Sequence, residues 1–321
     1  VPQRNYPIQF IWISGFRRSL KLENLLFPLK VVWSLWQAYR IIKQFAPTVV
    51  LGTGGYVSGP VLYMASRLGI PTLIQEQNSF PGVTTRMLAH RVNRVHLSFE
   101  SSRKYFKRQD NLILTGNPVQ KKFQMPEEKS AWQQFGLMPD KQTIIITGGS
   151  QGAHAVNQAI LGVLPQIMEI PPIQLIWSTG SADFETIKSA CAPFAERVFV
   201  QPFIDDMAAA YSISQLAICR AGAITLTELA IAGVPAILIP YPFAAAQHQL
   251  HNALDVQNAG GAVVIEEAKL TSEILYAMIF NLINHQDLLK SMQQRIQATA
   301  NPDASREIAD SLCEIAFPLN A

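Results

Sequence analysis

The stretch from Cys219 to Ala253, CRAGAITLTELAIAGVPAILIPYPFAAAQHQLHNA, constrains this chain's fold more than any other. It reads as strand end, glycine turn, helix, buried strand, loop and helix start. Ala217, Ile218 and Cys219 close an apolar strand, and Gly222 lets the backbone turn sharply. Ala223 to Ile231 read as a helix with Thr225 and Thr227 in its first turn. Gly233 stops that helix, and Pro235 introduces the strand Ala236 to Ile239. Strands alternating with helices in this way belong to a parallel α/β architecture.

The same stretch carries a candidate site. A helix N-terminus facing a glycine loop suits a diphosphate, because its first amides are unpaired and the macrodipole favours anions. Glu228 lies one turn beyond Thr225, where a carboxylate suits the two hydroxyls of a ribose. His248, Gln249 and Asn252 place polar groups beyond the C-terminal edge of the following strand. An ordinary strand-turn-helix with a capped start fits these residues equally well.

At 321 residues the chain is long enough for two domains with full cores. Its 49% hydrophobic and 15% charged content fits a globular α/β protein rather than a disordered one. Cys191, Cys219 and Cys313 lie far apart, without histidines at metal-ligand spacing, and read as reduced core residues of a cytoplasmic protein. No apolar run is long enough for a membrane span, and no signal peptide is visible.

A net charge of +3 conceals a division. Residues 1–125 hold 17 Lys and Arg against 4 Asp and Glu, whereas residues 126–321 hold 9 against 19. Such asymmetry implies that the first part meets something anionic, the alternative being a merely solvated basic face. The aromatics do not interleave with the basic residues as a nucleic-acid stacking platform requires, so no nucleic-acid partner is expected. An anionic membrane surface or a lipid-linked diphosphate fits better.

In chain order, Ile8 to Ile13 show an apolar strand pattern, and Arg17, Arg18 and Lys21 follow in a loop. Pro28 to Phe45 read as an amphipathic helix with Leu29, Val32, Trp33, Trp36 and Tyr39 near one face, a stripe expected to be core. Thr48 to Leu51 form a strand, and Gly52-Thr53-Gly54-Gly55 turn into a helix from about Gly59. No Gly-Lys-Ser/Thr follows, so this is not a nucleoside-triphosphate loop. Pro71 to Ile74 form a strand ending in the polar cluster Gln75 to Asn78, at the strand end where α/β folds bind ligands. Arg86, His90, Arg91 and Arg94 line a basic helix that suits a membrane-facing surface. Strands at Val95–Phe99 and Leu112–Thr115 complete a first domain over residues 1–118.

Residues 119–140 read as a polar linker. A second domain, 141–321, opens with the strand Thr143–Thr147 and the loop Gly148-Gly149-Ser150-Gln151-Gly152-Ala153, followed by a helix over Ala155–Leu164. His154 is a lone histidine, more often a cap than a base. Asp205 is expected to cap a helix over 206–212. Three helices close the chain, the last expected to pack back on the first domain.

ISGFRR at 13–18, GTGGYVSGP at 52–60, QEQN at 75–78, GNPV at 116–119, GGSQGA at 148–153, FIDDMAAAY at 203–211 and the 219–253 stretch occur in the order of one known family. Together they resemble the MurG family, glycosyltransferases of the GT-B fold with two facing Rossmann-like domains and a central cleft. The resemblance implies inverting transfer of N-acetylglucosamine from UDP-N-acetylglucosamine to the 4-hydroxyl of the muramoyl sugar on undecaprenyl-linked lipid I. The product is lipid II, so the setting is peptidoglycan synthesis, cell shape and cell division.

By the same resemblance, Asn78 and Ser150 contact the donor, and Ile204 lies against the uracil. Amides near Ala223, Ile224 and Ser150 serve the diphosphate, Glu228 the ribose, and Gln249 with Asn252 the sugar, with His248 beside the sugar subsite and Thr225, Leu226 and Thr227 also among the UDP-sugar contacts. Gln75 and Gln120 stand where relatives have histidine and arginine, and Ala246 stands where many have an acid. The resemblance also implies that a first strand and glycine loop precede Val1 in relatives, so the base is not assigned. No metal and no cofactor are expected. The expected location is the cytoplasmic side of the inner membrane, peripheral, with other cell-wall enzymes as further partners. A UDP-sugar 2-epimerase, another GT-B glycosyltransferase and a non-catalytic nucleotide-sugar binder remain alternatives.

Overall fold

The computed structural model describes residues 6–14, 26–123, 128–149, 152–170 and 173–318. The chain divides into two units, Val1–Asn117 with Asp303–Ala321, and Pro118–Pro302. Arg17, Arg18, Lys21 and Ser150 lie outside the described residues.

The first unit is built on four parallel strands, β1 (Val50–Gly52), β2 (Thr72–Glu76), β3 (Arg94–Leu97) and β4 (Leu112–Leu114), in the spatial order β1-β2-β3-β4. Helices α1 (Phe27–Phe45), α2 (Gly55–Arg67) and α3 (Val83–Leu88) cover them. Leu62 of α2, Ile74, Leu88, Val95, Leu97 and Phe106 form the apolar core. β2 is buried along its whole length, as a parallel strand with both faces covered must be.

Three expectations are corrected here. Ile8 to Ile13 form no strand, and Phe10 is 85% exposed. An alternating pattern becomes a strand only where a neighbour accepts its backbone hydrogen bonds, and here the Trp12 N–H donates to Gln37 Oε1 instead (2.7 Å). The aromatic stripe of α1 is not core. Leu29, Val32, Trp33, Trp36 and Tyr39 are all exposed, and the buried face is Ser34, Ala38 and Ile42. Small side chains let α1 approach α2 closely, and Ser34 Oγ satisfies itself by donating to the Val31 carbonyl (2.8 Å). Finally, α2 begins at Gly55 rather than near Gly59. The positive φ of Gly54 turns the chain into the helix earlier and leaves Pro60 inside it.

The Ala304–Ala316 helix completes the first unit. Ser311 accepts from Arg94 Nη1 and bonds His96 Nε2, both at 2.8 Å, while Arg94 also pairs with Glu314 (2.6 Å). His96 Nδ1 meets Thr115 Oγ1 at 3.2 Å. Burial and the nearby Arg94 charge, against an opposing pull from Glu307, lower the His96 pKa to about 4. The ring is therefore neutral at physiological pH.

The second unit holds six parallel strands, β5 (Gln142–Thr147), β6 (Ile173–Ser178), β7 (Val198–Gln201), β8 (Leu216–Cys219), β9 (Ala236–Leu238) and β10 (Ala262–Val264). Their spatial order is β10-β9-β8-β5-β6-β7. The chain runs outward from β5 to β7, returns to the other side at β8, and runs outward again. Helices α4 (Glu128–Phe135), α5 (His154–Leu161), α6 (Leu164–Glu169), α7 (Phe184–Cys191), α8 (Met207–Ser212), α9 (Ala223–Ala232), α10 (His248–Asn258), α11 (Ser272–Asn284) and α12 (Gln286–Gln297) complete it. Phe135 of α4 is buried edge-on against Phe199, 4.9 Å between ring centroids. The α8 cap is Asp206, whose Oδ1 accepts from the Ala209 N–H (3.3 Å), and not Asp205. Adjacent aspartates are equivalent as caps in sequence; the backbone turn chooses between them.

Candidate active site

In a doubly wound sheet, ligands bind beyond the carboxyl ends of the strands where the strand order reverses. In the second unit that point lies between β5 and β8. A cleft of about 660 Å³ opens there, lined by Thr147–Gly149 and Gly152–Ala155 from the β5 side and by Cys219, Arg220, Gly222 and Thr225 from the β8 side.

The loop after β5 is shaped by its glycines. Gly152 has φ +76°, and a Cβ there would collide with the Thr179 carbonyl. Gly148 lies so close to the Ala153 backbone that no side chain fits. Gly148, Gly149 and Gly152 therefore present backbone rather than side chains to the cleft, and Thr147 Oγ1 accepts from the Gly149 N–H (3.3 Å).

The opposite wall is the start of α9. Gly222 caps it in an extended conformation with no side-chain partner for the first amides. Gly233 ends α9 with φ +67°, as its spacing from the periodic residues predicts. Thr225 lines the cleft, Ile224 is exposed, Leu226 is buried, and Thr227 Oγ1 turns back to the Ala223 carbonyl (3.0 Å). Glu228 is half-buried one turn further on, near the fully buried Tyr211. Burial, with the neighbouring Cys219 and Glu228, pushes the Tyr211 hydroxyl well above its ordinary range. Burial alone raises Cys219 to about 12, so this cleft-lining thiol is no nucleophile.

The floor beside β9 and β10 contains residues that the sequence did not single out. Arg220 pairs with Glu267 and donates to the Ile239 carbonyl (3.0 Å), with its guanidinium 5.5 Å from the centre of the Tyr241 ring. Gln249 lines the cleft and accepts from the Tyr241 N–H (3.0 Å). Asn252 is completely buried and donates to the Ala221 carbonyl (3.3 Å), which fixes the turn between β8 and α9. His248 Nδ1 meets the Ala245 carbonyl at 2.8 Å. Ala246 and Gln247, just before it, both take left-handed backbone conformations that cost non-glycine residues energy. Ile204 is buried in the same unit. Asn78 belongs to the first unit, where its N–H donates to the buried Glu76 carboxylate (3.2 Å).

The structure thus brings Thr225 and Gln249 into one cleft with the glycine loop. Arg220 directly follows β8 and Tyr241 lies just beyond Ile239 and Pro240 after β9, so the strand-end rule could have found them; Glu267 is joined to them only by the fold. Among the described residues, no group of three His, Cys, Asp or Glu could hold a metal ion.

A glycine loop and a helix start facing each other at the switch point define a nucleotide-binding α/β protein. The chain belongs to glycosyltransferase family 28, whose C-terminal domain matches residues 143–308 and whose N-terminal domain matches residues 1–97. It is 42% identical over 318 residues to the UDP-N-acetylglucosamine--N-acetylmuramyl-(pentapeptide) pyrophosphoryl-undecaprenol N-acetylglucosamine transferase of Ruminiclostridium cellulolyticum, covering 98% of this chain and 87% of that protein. The transferase of the same name from Chlorobaculum parvum is 41% identical, covering 96% and 85%. Among solved structures, Acinetobacter baumannii MurG matches with a TM-score of 0.78 and 32% identity, covering 98% of this chain and 86% of that one. The UDP-GlcNAc 2-epimerase of Neisseria meningitidis shares the fold, with a TM-score of 0.67 at 14% identity over 93% and 84% of the two chains.

Proposed function

We propose that this chain transfers N-acetylglucosamine from UDP-N-acetylglucosamine to the 4-hydroxyl of the muramoyl sugar of undecaprenyl-diphosphate-linked lipid I. The observation that carries the reading is the cleft between the Gly148–Gly152 loop and the start of α9, in a chain about 40% identical to transferases so named. The α9 amides at Ala223 and Ile224 take the diphosphate, with Ser150 from the loop opposite, and their dipole stabilises the charge that develops on the leaving UDP. Glu228 takes the ribose, Ile204 the uracil, Gln249 the sugar, and Asn252 supports the sugar side by holding the Ala221 turn. Asn78 is also assigned to the donor.

The acceptor is lipid-linked, and the first unit suits a peripheral place on the anionic cytoplasmic face of the membrane. Arg86, His90, Lys107 and Arg108 line a basic hollow there, with Val83 and Met87 exposed at its side. Trp33 and Trp36 are also exposed, and among the described residues no helix is long and apolar enough to cross a membrane.

Incubation with labelled UDP-N-acetylglucosamine and lipid I tests the reading. Label should move into the lipid fraction as the disaccharide product. Formation of UDP-N-acetylmannosamine without any acceptor would point to an epimerase instead, and UDP binding without either product to a non-catalytic binder.

A further inference from the structure

His154 is not a lone histidine. It opens α5 on the wall of the nucleotide cleft, and its Nδ1 lies 2.8 Å from Asp183 Oδ1, 29 residues away. The second oxygen of Asp183 accepts from Asn157 Nδ2 (2.7 Å), which also donates to the Thr179 carbonyl (2.8 Å). Asn157 Oδ1 in turn accepts from the buried indole of Trp177 (3.0 Å). The chain Trp177–Asn157–Asp183–His154 therefore runs from the core to the cleft, with each member oriented by the one before it. Burial works against the charged form of Asp183, but the Asn157 and His154 hydrogen bonds outweigh it and hold the carboxyl below its usual range.

A carboxylate fixed in this way makes Nδ1 the protonated nitrogen and leaves Nε2 on the open side of the ring. His154 is 74% exposed, and the described residues offer Nε2 no hydrogen-bond partner. The other charged side chains on the cleft wall, Arg220 and Glu267, are paired with each other. The helices packed on α5 carry Glu185 and Lys188 on α7 and Glu273 on α11 as their charged groups. Of all these, His154 alone combines a cleft position beside the glycine loop with a dedicated carboxylate behind it.

From this geometry we infer that His154, as an imidazolium held by Asp183, donates from Nε2 to the terminal phosphate of the bound nucleotide, and that Asp183 is its positioning residue. The inference rests on the nucleotide-sugar reading above. As the sugar is transferred, the bond from C1 to the phosphate oxygen breaks with its electron pair going to that oxygen. The acceptor oxygen bonds to C1, and its proton passes to a base or to water. The imidazolium keeps its own proton and strengthens its hydrogen bond to the oxygen that gains charge. Because Nε2 must carry a proton to donate, nucleoside diphosphate binding is coupled to protonation of the ring.

Calorimetric titration with UDP, UMP and uridine in buffers of different ionisation enthalpy tests this. For the unaltered protein, UDP binding should show buffer-dependent heat corresponding to proton uptake, while uridine binding should not. His154→Gln should weaken UDP by about 10-fold or more, the loss typical of a charged hydrogen bond, and should abolish the proton uptake while leaving uridine unchanged. Asp183→Asn, checked for folding by circular dichroism, should reduce the uptake, and the ring's ¹⁵N shifts should no longer report a fixed Nδ1–H. Unchanged UDP affinity in His154→Gln, or an equal loss for uridine, would overturn the role of His154 alone. Failure of the unaltered protein to bind UDP would instead remove the nucleotide reading itself.

Discussion

The two units are both parallel α/β sheets, yet they place their polar and apolar groups differently. The second unit buries a continuous apolar core, including Ile144, Ile160, Ile187, Leu216 and Ile237, and opens the cleft between the glycine loop and the start of α9 above it. The first unit has a smaller apolar core, leaves Leu29, Trp33, Trp36 and Met87 on its surface, and buries a polar network around β2. Gln75 Nε2 donates to Ser98 (3.0 Å) and Asn117 (2.9 Å), Asn117 holds the Gln77 carbonyl (3.2 Å), and Glu76 accepts from the Gly82 N–H (3.1 Å). On the function proposed above, one architecture serves two kinds of binding. A concave site for a small anion needs a rigid surround, whereas a surface for an extended partner can carry exposed apolar area if internal hydrogen bonds hold the loops.

The largest expected effect strikes the rigid cleft. Gly152→Val forces a β-branched residue into positive φ against the Thr179 carbonyl, and a cost of about 3 kcal/mol or more is expected. Urea unfolding should show it, with loss of UDP binding. A variant as stable as the parent would mean that the loop adapts and that the contrast in rigidity is overdrawn.

A comparable effect is expected in the first unit, but only in acid. His96 titrates near 4 when folded and near 6.5 when unfolded. Below 6.5 the unfolded chain takes up the proton and the folded one does not. Stability is therefore full above about 6.5 and falls progressively to about pH 4, by about 3 kcal/mol in all. Urea midpoints at pH 7 and pH 4.5 should diverge less in His96→Gln than in the parent. Equal divergence would assign the acid sensitivity to other groups.

Returning to the cleft unit, Glu228→Ala should weaken UDP by about 1–3 kcal/mol, the loss of a charged hydrogen-bonding partner. Calorimetry giving unchanged affinity in a folded variant would take Glu228 out of the site. The smallest effect should belong to the surface unit. Arg86→Gln removes one charge at the basic hollow and should reduce retention on anionic liposomes by about 1 kcal/mol, without changing UDP affinity. Equal retention on neutral and anionic liposomes would show that charge is not what holds this unit at a membrane.

Local signals were legible where they act over a few residues. Gly222, Gly233 and Pro235 place α9 and its flanking strands to within about one residue, because turn geometry is set by the residues in the turn. The aromatic stripe of α1 was legible as a face, but periodicity says only that residues share a side, not what covers it. The strand-like Ile8–Ile13 pattern failed for the same reason: a ladder partner is not a local property. At the site, Thr225 was legible from the helix start after a glycine turn and Gln249 from the polar residues beyond the next strand, and the structure lines one cleft with both. His154 read as solitary because its partner Asp183 is 29 residues away and is brought near only by the packing of α5 and α7.

The return of the Ala304–Ala316 helix to the first unit has a consequence for how the protein is made and cut. The second unit is a single uninterrupted segment, so on the ribosome it can be finished while the first is still incomplete. Arg94 and His96 must wait some two hundred residues for Ser311 to emerge. Because the polypeptide passes between the units at two places, after Asn117 and before Asp303, a protease that nicks either crossing alone leaves both halves joined by the other.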